Sequence, residues 1–421
     1  MEPEQALLQL RAAGLPAIDP RLVVGFLQPM LQQLSDLRRV GSRLPLLALN
    51  GPVGAGKSSL GRALAVLAPA LDLRLLVVSI DDLYLPWPER QRRLAGNPFA
   101  VSRVPPGSHD LDVLLEGLAS WRHSGILRLP RFDKTLAQGQ GDRCGWHQGP
   151  CDVLVLEGWL MGCRALGAEG LAIALAAVDL SRPGPDGAPA LEPMELDWLA
   201  TWDRLLETYG PLWQACDGLW VLRPMSWALP RRWRFQAEAR QRRNGGGWLP
   251  PVELERLVRS SLCSLPPVLY QDPLALDPWL VPEPEVMSEP AKAIWPRLTG
   301  PPSTVTGDSD PELSSLAAGT DAWASLSTGA QPDHRLPVKA RIQGSKTVEN
   351  LAASPLASAE RSSQPAQAMA VACATAAAAA AVAGLTVEGL AVLDGRRRCV
   401  GLWRRQQETQ ASPSESSSLM G

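Results

Sequence analysis

A glycine-rich segment near the start of the chain has the residue types and spacing that bind a nucleoside triphosphate. Residues 51–58 read GPVGAGKS and satisfy the pattern G-x-x-x-x-G-K-[ST], after an apolar run and before a helical pattern. Glycines let backbone N–H groups surround the phosphates, Lys57 would bridge the β- and γ-phosphate oxygens, and the Ser58 hydroxyl would ligate Mg²⁺. The pattern therefore predicts ATP and Mg²⁺ as cofactors. The predicted nucleotide-binding residues of this loop are Gly51, Gly54, Ala55, Gly56, Lys57, Ser58 and Ser59.

Carboxylates follow two other apolar runs. Glu157 comes directly after residues 153–156, and Asp81 and Asp82 come after residues 77–80. Because ligands of open parallel sheets bind at the carboxyl ends of the strands, Glu157 is predicted to complete the metal site of the loop serine. Asp81 is predicted to accept the proton of an attacking hydroxyl group, with Asp82 as the alternative base, although either aspartate could instead cap a helix. The predicted catalytic residues are Lys57, Asp81 and Glu157, and the predicted metal ligands are Ser58 and Glu157.

Polar segments farther along the chain contain candidates for an acceptor site. A proline-rich turn at residues 105–110 carries one of only four histidines, and a charged turn at residues 130–134 follows a strand-like run. Arg131 and Lys134 suit an anionic substrate, because their donors match carboxylate oxygens, while a solvated turn is the alternative. The predicted acceptor-binding residues are Asp82, Tyr84, His109, Asp110, Arg131, Asp133, Lys134 and Arg143.

A basic segment at residues 231–236 follows a fourth strand-like run, at residues 219–222. In this position it is predicted to act as a lid that brings Arg231 and Arg234 over the transferring phosphate. A charged, solvated helix face explains the same composition equally well.

Short apolar runs alternate with helical patterns, which is typical of an α/β fold with a parallel sheet. The predicted architecture is a P-loop NTPase-type three-layer sandwich with a central, mostly parallel sheet and a largely disordered C-terminal insert. The predicted organisation is an N-terminal helical segment at 1–40, a P-loop domain at 41–282, a low-complexity Pro/Ser/Ala-rich insert at 283–385, a strand pair returning to the core at 386–408 and a disordered tail at 409–421.

Composition excludes some classes of partner and indicates a compartment. A net charge of −2 over 421 residues provides no field for nucleic acid or for an anionic membrane. The alanine run at residues 367–384 could be read as a membrane span, but alanine is only weakly apolar, so a helix or plain low complexity is favoured. Seven cysteines without a C-x-x-C pair, and an acidic N-terminus unlike a signal peptide, predict a reducing, cytoplasmic location. The oligomeric state is left open.

The ordered set of motifs resembles one family. GPVGAGKS, SIDDLYLP, GNP, PPGSHD, LPRFDK, GDR and VLEGW, spread over residues 45–275, are similar to those of the D-glycerate 3-kinases, P-loop kinases related to uridine kinase, phosphoribulokinase and pantothenate kinase. The resemblance implies ATP-dependent phosphorylation of D-glycerate to 3-phospho-D-glycerate in photorespiration. It also implies that Asp81 is the hydroxyl-activating residue and that the basic segment, followed by Gln-Ala-Glu at 236–238, is the lid.

Two departures and two alternatives accompany this interpretation. Ser108 stands where the family pattern has threonine, and the insert at 283–385 is not a recognised family feature, so it is expected to loop out without touching the site. The first alternative is a P-loop kinase for another small alcohol, of the nucleoside or pantothenate type. The second is a regulatory P-loop ATPase, which would need no base at Asp81.

Overall fold

The structure, a computed structural model, describes residues 1–245, 248–276, 280–283, 287–289, 291 and 385–406. Most of the predicted insert, the whole alanine run at 367–384 and the tail at 409–421 lie outside the described residues. No helix in the described ranges is long and apolar enough to cross a bilayer.

The described strands form a central sheet and a separate hairpin. Their bounds are β1 Leu46–Asn50, β2 Leu75–Ser79, β3 Ile126–Asp133, β4 Asp142–Pro150, β5 Val153–Gly158, β6 Gly218–Pro224, β7 Leu280–Pro282, β8 Val387–Leu393 and β9 Cys399–Arg405. The sheet order is β2-β5-β1-β6-β8-β9-β7, parallel from β2 to β8 and antiparallel at β9 and β7, while β3 and β4 pair with each other. The fold is therefore α/β with a mostly parallel sheet.

Helices cover both faces of that sheet. Their bounds are α1 Pro3–Ala12, α2 Pro20–Leu22, α3 Gln28–Val40, α4 Lys57–Leu67, α5 Trp87–Arg93, α6 Leu111–Ser124, α7 Gly167–Ala177, α8 Pro193–Asp197, α9 Leu199–Glu207, α10 Gly210–Ala215, α11 Leu229–Arg243, α12 Pro251–Cys263 and α13 Pro267–Tyr270. A π-helical turn at Val23–Leu27 joins α2 to α3, and a 3₁₀ turn at Ile80–Leu83 follows β2.

The central strand explains the three layers. All five residues of β1 are buried, and successive side chains of a strand point to opposite faces. Leu46 and Ala48 pack into one apolar core with the helices α6 and α10, whereas Leu47 and Leu49 pack into a second core with α1, α3 and α4. A strand with both faces buried must consist of apolar residues throughout, which is the pattern read in the sequence.

The two ends of the chain meet on this scaffold. Gln33 of α3 accepts a hydrogen bond from the Trp220 indole N–H of β6 at 2.8 Å. Asp19 accepts from the Cys399 backbone N–H at 2.9 Å, so the segment before α2 is attached to β9. The N-terminal helices and the C-terminal hairpin thus pack on the same face of the α/β core.

The predicted start of the insert at residue 283 falls within a packed segment. The backbone N–H of Glu283 donates to Leu402 O at 2.9 Å, and that of Ser288 donates to Val400 O at 2.8 Å. A Cβ placed on Gly401 would come within 2.9 Å of the Ala291 Cβ, so Ala291 also lies against β9. The Pro/Ser/Ala-rich composition thus begins near residue 283, whereas the described contacts with the sheet continue to residue 291.

Replacement of residues 292–384 by a flexible linker tests whether that segment is needed for folding. Ala291 lies beside β9, and Leu385 O accepts from Arg164 Nη2 at 3.0 Å, so both ends are attached to the core. A Gly/Ser linker of about twelve residues reaches ~40 Å, more than the length of β8 that separates them. We expect unchanged far-UV circular dichroism and a melting temperature equal to or slightly above that of the full chain, because the closing loop is shorter. Insolubility, or a fall of more than about 5 °C, would show that the segment contributes to the core.

Candidate active site

Strand register brings three groups to one edge of the sheet. Leu49 of β1 and Ser79 of β2 both pair with Glu157 of β5. The phosphate loop leaves β1 directly after this pair, and Asp81 lies two residues beyond the end of β2. The loop, Glu157 and Asp81 are therefore neighbours, and Val53 of the loop lines the same cleft as Asp81.

The phosphate loop has the backbone shape that its glycines permit. Gly54 and Gly56 have φ of 77° and 96°, which residues with a Cβ adopt only with strain. Helix α4 begins at Lys57, so the amide N–H groups of its first turn are available to an anion. The Lys57 ammonium donates to Gly51 O at 2.7 Å and to Pro52 O at 3.1 Å, which holds it inside the loop.

Ser58 and Glu157 have the donor set that a hard cation requires. The Ser58 hydroxyl donates to Glu157 Oε1 at 3.0 Å, and Lys57 Nζ lies 3.9 Å from Oε2. Burial raises the pKa of Glu157, and the Lys57 ammonium opposes that rise. Mg²⁺ usually takes one or two protein oxygens and completes its shell with water and phosphate oxygens. The pair fits this ion, although no cluster of three or more His, Cys, Asp or Glu ligands occurs in the described ranges.

Asp81 is held by two donors at the cleft. The Tyr84 hydroxyl donates to Oδ1 at 2.8 Å, and the Lys134 ammonium donates to Oδ2 at 3.0 Å. Burial by itself raises the pKa of Asp81, but the Lys134 charge and the Tyr84 hydrogen bond outweigh it and leave the pKa below its usual value. The side chain is therefore a carboxylate at neutral pH, and its oxygens keep lone pairs that can accept a further hydroxyl group.

Asp82, the adjacent carboxylate, faces a different element. It accepts the backbone N–H of Phe132 at 3.0 Å and a bond from His147 Nε2 at 3.0 Å, both in the β3–β4 hairpin. These contacts attach the hairpin to the end of β2. Asp82 thus occupies a supporting position, whereas Asp81 lines the cleft.

The other predicted acceptor-binding residues either connect elements of the fold or lie at the surface. Arg143 donates to Asp110 at 2.5 Å and to Tyr84 O at 3.2 Å, so this pair connects α6 to the hairpin. Asp133 accepts from the backbone and hydroxyl of its neighbour Thr135, within an exposed turn. Arg131 is exposed on β3. Of the predicted set, Tyr84 and Lys134 line the cleft together with Asp81.

His109 lies in a buried layer behind the cleft. Its ring stacks on the Tyr84 ring with centroids 4.7 Å apart, and its Nδ1 lies 2.6 Å from the Tyr209 hydroxyl oxygen. That oxygen also accepts the Gly107 N–H at 3.2 Å, so Tyr209 attaches both His109 and the proline-rich turn to the core. Nε2 is buried without a hydrogen-bond partner in the described structure. His109 therefore supports Tyr84, which in turn holds Asp81.

The predicted lid is the first part of α11, which lies directly over the phosphate loop. A Cβ on Gly54 would come within 2.8 Å of the Trp233 Cβ and 2.9 Å of the Arg234 N, so glycine is required at this contact. Arg234 lines the cleft and forms an ion pair with Glu238 at 2.9 Å. Arg231 instead pairs with Glu255 at 2.8 Å and is half exposed. The structure brings Arg234 to the cleft and directs Arg231 toward α12.

Two arginines of the site were missed in the sequence. Arg103 lines the cleft and lies two residues before the PPGSHD motif, in a segment without a recognised pattern. Arg397, in the turn of the C-terminal hairpin, donates to Gly54 O at 2.6 Å and to Trp233 O at 3.0 Å. Three arginines stand in this turn at residues 396–398, but its contact with the phosphate loop depends on the position of β8 beside β6.

Comparison with known proteins supports the sequence resemblance. The chain is 28% identical over 250 residues to D-glycerate 3-kinase, chloroplastic, of Arabidopsis thaliana, which covers 55% of this chain and 50% of that protein. It is 30% identical over 140 residues to the probable ATP-dependent kinase TDA10 of Saccharomyces cerevisiae, which covers 29% of this chain and 48% of that protein. The chain thus spans about half the length of these curated relatives. No protein-family model matches the chain.

A solved structure with a similar chain path is that of D-glycerate 3-kinase from Cryptococcus neoformans. It is 25% identical, has a TM-score of 0.48, and the match covers 58% of this chain and 89% of that one. The resemblance to D-glycerate 3-kinases that the motifs indicated is therefore confirmed by the curated relatives.

The buried histidine gives a stability prediction. Burial lowers the pKa of His109 to about 4, against roughly 6.5 in an unfolded chain. Between these values the unfolded chain binds more protons at this residue than the native state does. The free energy of unfolding therefore falls as the pH drops from about 6.5 toward 4, and the contribution of His109 to this fall is about 2 kcal/mol at pH 5. In His109→Gln, which cannot titrate, the loss of unfolding free energy between pH 7.5 and pH 5 should be smaller by that amount in urea titrations.

The control for this experiment is His123→Gln, a substitution at an exposed histidine of α6. It should retain the pH dependence of the wild type. An equal loss of stability in wild type and His109→Gln would contradict a neutral, buried His109.

Proposed function

We propose that this protein is an ATP-dependent kinase that transfers the γ-phosphoryl group to a hydroxyl of D-glycerate. The observation that supports this most directly is the Asp81 carboxylate, in the same cleft as Val53 of the phosphate loop and next to Glu157. A phosphate-binding loop alone fits any P-loop protein. A carboxylate beside it, at the end of the neighbouring strand, is what a phosphotransferase with an alcohol acceptor requires.

The reaction assigns one task to each group. Loop amides and Lys57 neutralise the β- and γ-phosphates, and the metal held by Ser58 and Glu157 would supply further charge neutralisation. The acceptor hydroxyl oxygen attacks the γ-phosphorus, and the bond between that phosphorus and the β,γ-bridging oxygen breaks. The hydroxyl proton passes to Asp81, and ADP leaves. Arg234 lies where it can stabilise charge on the transferring group.

An acid acceptor is supported by the charges around Asp81. Among the described residues, three cationic side chains, Arg103, Lys134 and Arg234, line the cleft beside one carboxylate, Asp81. The aromatic residue in this described lining is Tyr84, and its ring is already stacked on His109. This lining favours a small anionic hydroxy acid over a nucleoside, which would need a free aromatic face. The name of the Arabidopsis relative indicates the same acceptor for that protein.

The family resemblance extends the proposal to a metabolic setting. D-glycerate phosphorylation would place the enzyme in photorespiratory glycolate metabolism, and a cytoplasmic location is the matching prediction for this chain. The Arabidopsis relative is chloroplastic by name, so location can differ between proteins with this catalytic core. Fractionation of the source cells, followed by immunoblotting, tests the location directly.

Replacing Asp81 tests its role as base. In Asp81→Asn we expect kcat to fall by about 10²–10⁴, while the KM for ATP stays within about threefold, because the amide cannot accept the proton but leaves the phosphate loop intact. Steady-state kinetics with a coupled ADP assay measures both constants. The matched control is Asp82→Asn, which alters the contacts with Phe132 and His147 and should mainly lower the melting temperature. A larger loss of kcat in Asp82→Asn would transfer the base role to Asp82.

The acceptor itself is tested with a substrate panel. The same ADP assay is run with D-glycerate, L-glycerate, glycerol, uridine, pantothenate and no acceptor. We expect ADP release with D-glycerate to exceed release without acceptor by at least about a hundredfold, with 3-phosphoglycerate as the product by mass spectrometry. Preferential turnover of uridine or pantothenate would establish another alcohol kinase. Equal rates with and without every acceptor would establish an ATPase.

A further inference from the structure

Arg103 is a buried cation at the cleft. Its side chain is 5% exposed, and it lines the cleft with Asp81, Tyr84 and Lys134. It follows α5 and precedes the PPGSHD turn, so it is fixed by two packed elements. None of the motifs read in the sequence includes it.

The charge of Arg103 has no counterion within the described ranges. No carboxylate there lies within ion-pair distance of its guanidinium, and Gln140 O, at 3.2 Å from Nη1, is its one protein acceptor among these residues. Burial, only partly offset by Tyr84 and Asp81, accordingly lowers the pKa of Arg103. A guanidinium has five N–H donors, and a buried cation without a partner is costly. An arrangement of this kind is expected where a ligand supplies the missing anion.

Arg90 provides an internal comparison. It is fully buried in the same region, but its guanidinium donates to the carbonyl oxygens of Leu85, Ser102, Gln140 and Gly141. Arg90 is thus satisfied by the protein and holds the loop together. Arg103, with one such bond, is not.

The backbone around Arg103 is shaped to expose it to the cleft. Val104 has φ of 89°, a region that a β-branched residue rarely occupies, and its side chain also lines the cleft. Gly141 has φ of 76°, and a Cβ there would come within 3.0 Å of Arg103 Nη1. Strained residues of this kind concentrate where a functional group is held in place.

We propose that Arg103 binds the carboxylate of the acceptor substrate and thereby selects a hydroxy acid. This inference rests on the proposed kinase function. The planar fork of arginine matches the two oxygens of a carboxylate. With the carboxylate on Arg103, the hydroxyl end of a short hydroxy acid reaches toward Asp81 in the same cleft. Arg131 and Arg143, expected from the sequence to bind this group, are respectively exposed and paired with Asp110.

The nucleotide phosphates have donors of their own. Loop amides, the α4 N-terminus and Lys57 surround the position of the triphosphate. Arg103 lines the cleft with Tyr84, Val104 and Asp81, and Tyr84 and Asp81 act on its charge more strongly than Arg234 and Glu238 do. The acceptor is therefore the anion that we assign to Arg103.

The test is a kinetic comparison of Arg103→Met and Arg103→Lys with the wild type, using D-glycerate, glycerol and ATP. For Arg103→Met we expect the kcat/KM for D-glycerate to fall by about a hundredfold or more, the weak activity on glycerol to be unchanged, and the KM for ATP to stay within about twofold. Arg103→Lys keeps a point charge without the fork and should retain part of the preference for the acid.

A thermal-shift measurement separates binding from folding. D-glycerate should raise the melting temperature of the wild type and leave that of Arg103→Met unchanged. The control is Arg122→Met, at the opposite edge of the sheet, where Arg122 donates to Leu44 O, Ala215 O and Asp217. It should lower the melting temperature without changing either KM. If Arg103→Met does not fold, the Arg103→Lys kinetics decide the question.

Each outcome has one meaning. An unchanged KM for D-glycerate in both Arg103 variants overturns the inference, and so does a selective rise in the KM for ATP, which would assign Arg103 to a phosphate. If the wild type rejects D-glycerate but phosphorylates another hydroxy acid, the proposed substrate is wrong. The KM for that acid is then compared between Arg103→Met and the wild type, and this comparison decides the role of Arg103. If the wild type accepts neutral alcohols only, both proposals fail.

Discussion

The parallel pairing of β5 with both β1 and β2 is the constraint on which the site depends. It places Glu157 opposite Leu49 on one side and Ser79 on the other. From this register the phosphate loop and the aspartate after β2 emerge at one edge of the sheet, on either side of Glu157. A slip of one residue in β5 would turn Glu157 to the other face of the sheet and break its contact with Ser58. The burial of β1 and β5 on both faces prevents that slip. A slip would move every apolar side chain of β5 from the core in which it packs to the core on the other face of the sheet.

The same burial explains why the central part of the site could be predicted from sequence. A strand covered on both faces is a continuous apolar run, and a residue at its carboxyl end is easily located. The hairpin was less visible, because β4 is rich in polar residues and glycines and its inclusion depends on pairing with β3. Arg103 could not be recognised from sequence, because the feature that distinguishes it is the lack of an ion-pair partner among the described residues. Its neighbour Gln140 is distant in sequence, and only the folded chain shows that no carboxylate of the described residues forms an ion pair with Arg103.

Several polar groups near the cleft are buried at a cost to stability. Arg103 lacks a counterion, His109 Nε2 lacks a partner in the described structure, and burial lowers the pKa of Lys57. Natural folds satisfy such groups elsewhere and leave them unsatisfied mainly at functional sites. The donors of Arg90, Trp159 and Trp213 all meet carbonyl oxygens, whereas Gln9 Oε1, Trp202 Nε1 and Ser264 Oγ, outside the cleft lining, are buried without a partner in the described structure. An unsatisfied group therefore points to the site only where it coincides with the phosphate loop and Asp81.

The contacts of Asp81 also bear on the choice between an alcohol and water as acceptor. Tyr84 donates to one carboxylate oxygen and Lys134 to the other, and each oxygen keeps a lone pair that can accept a hydroxyl group. Lys134 is the more exposed of the two donors, at 55% for its side chain, and lies on a turn rather than in a strand. In the proposed reaction Arg103, in the same cleft, holds the substrate carboxylate and so brings the acceptor hydroxyl to Asp81. Water has no such anchor, and the proposal therefore favours transfer to the acid over hydrolysis.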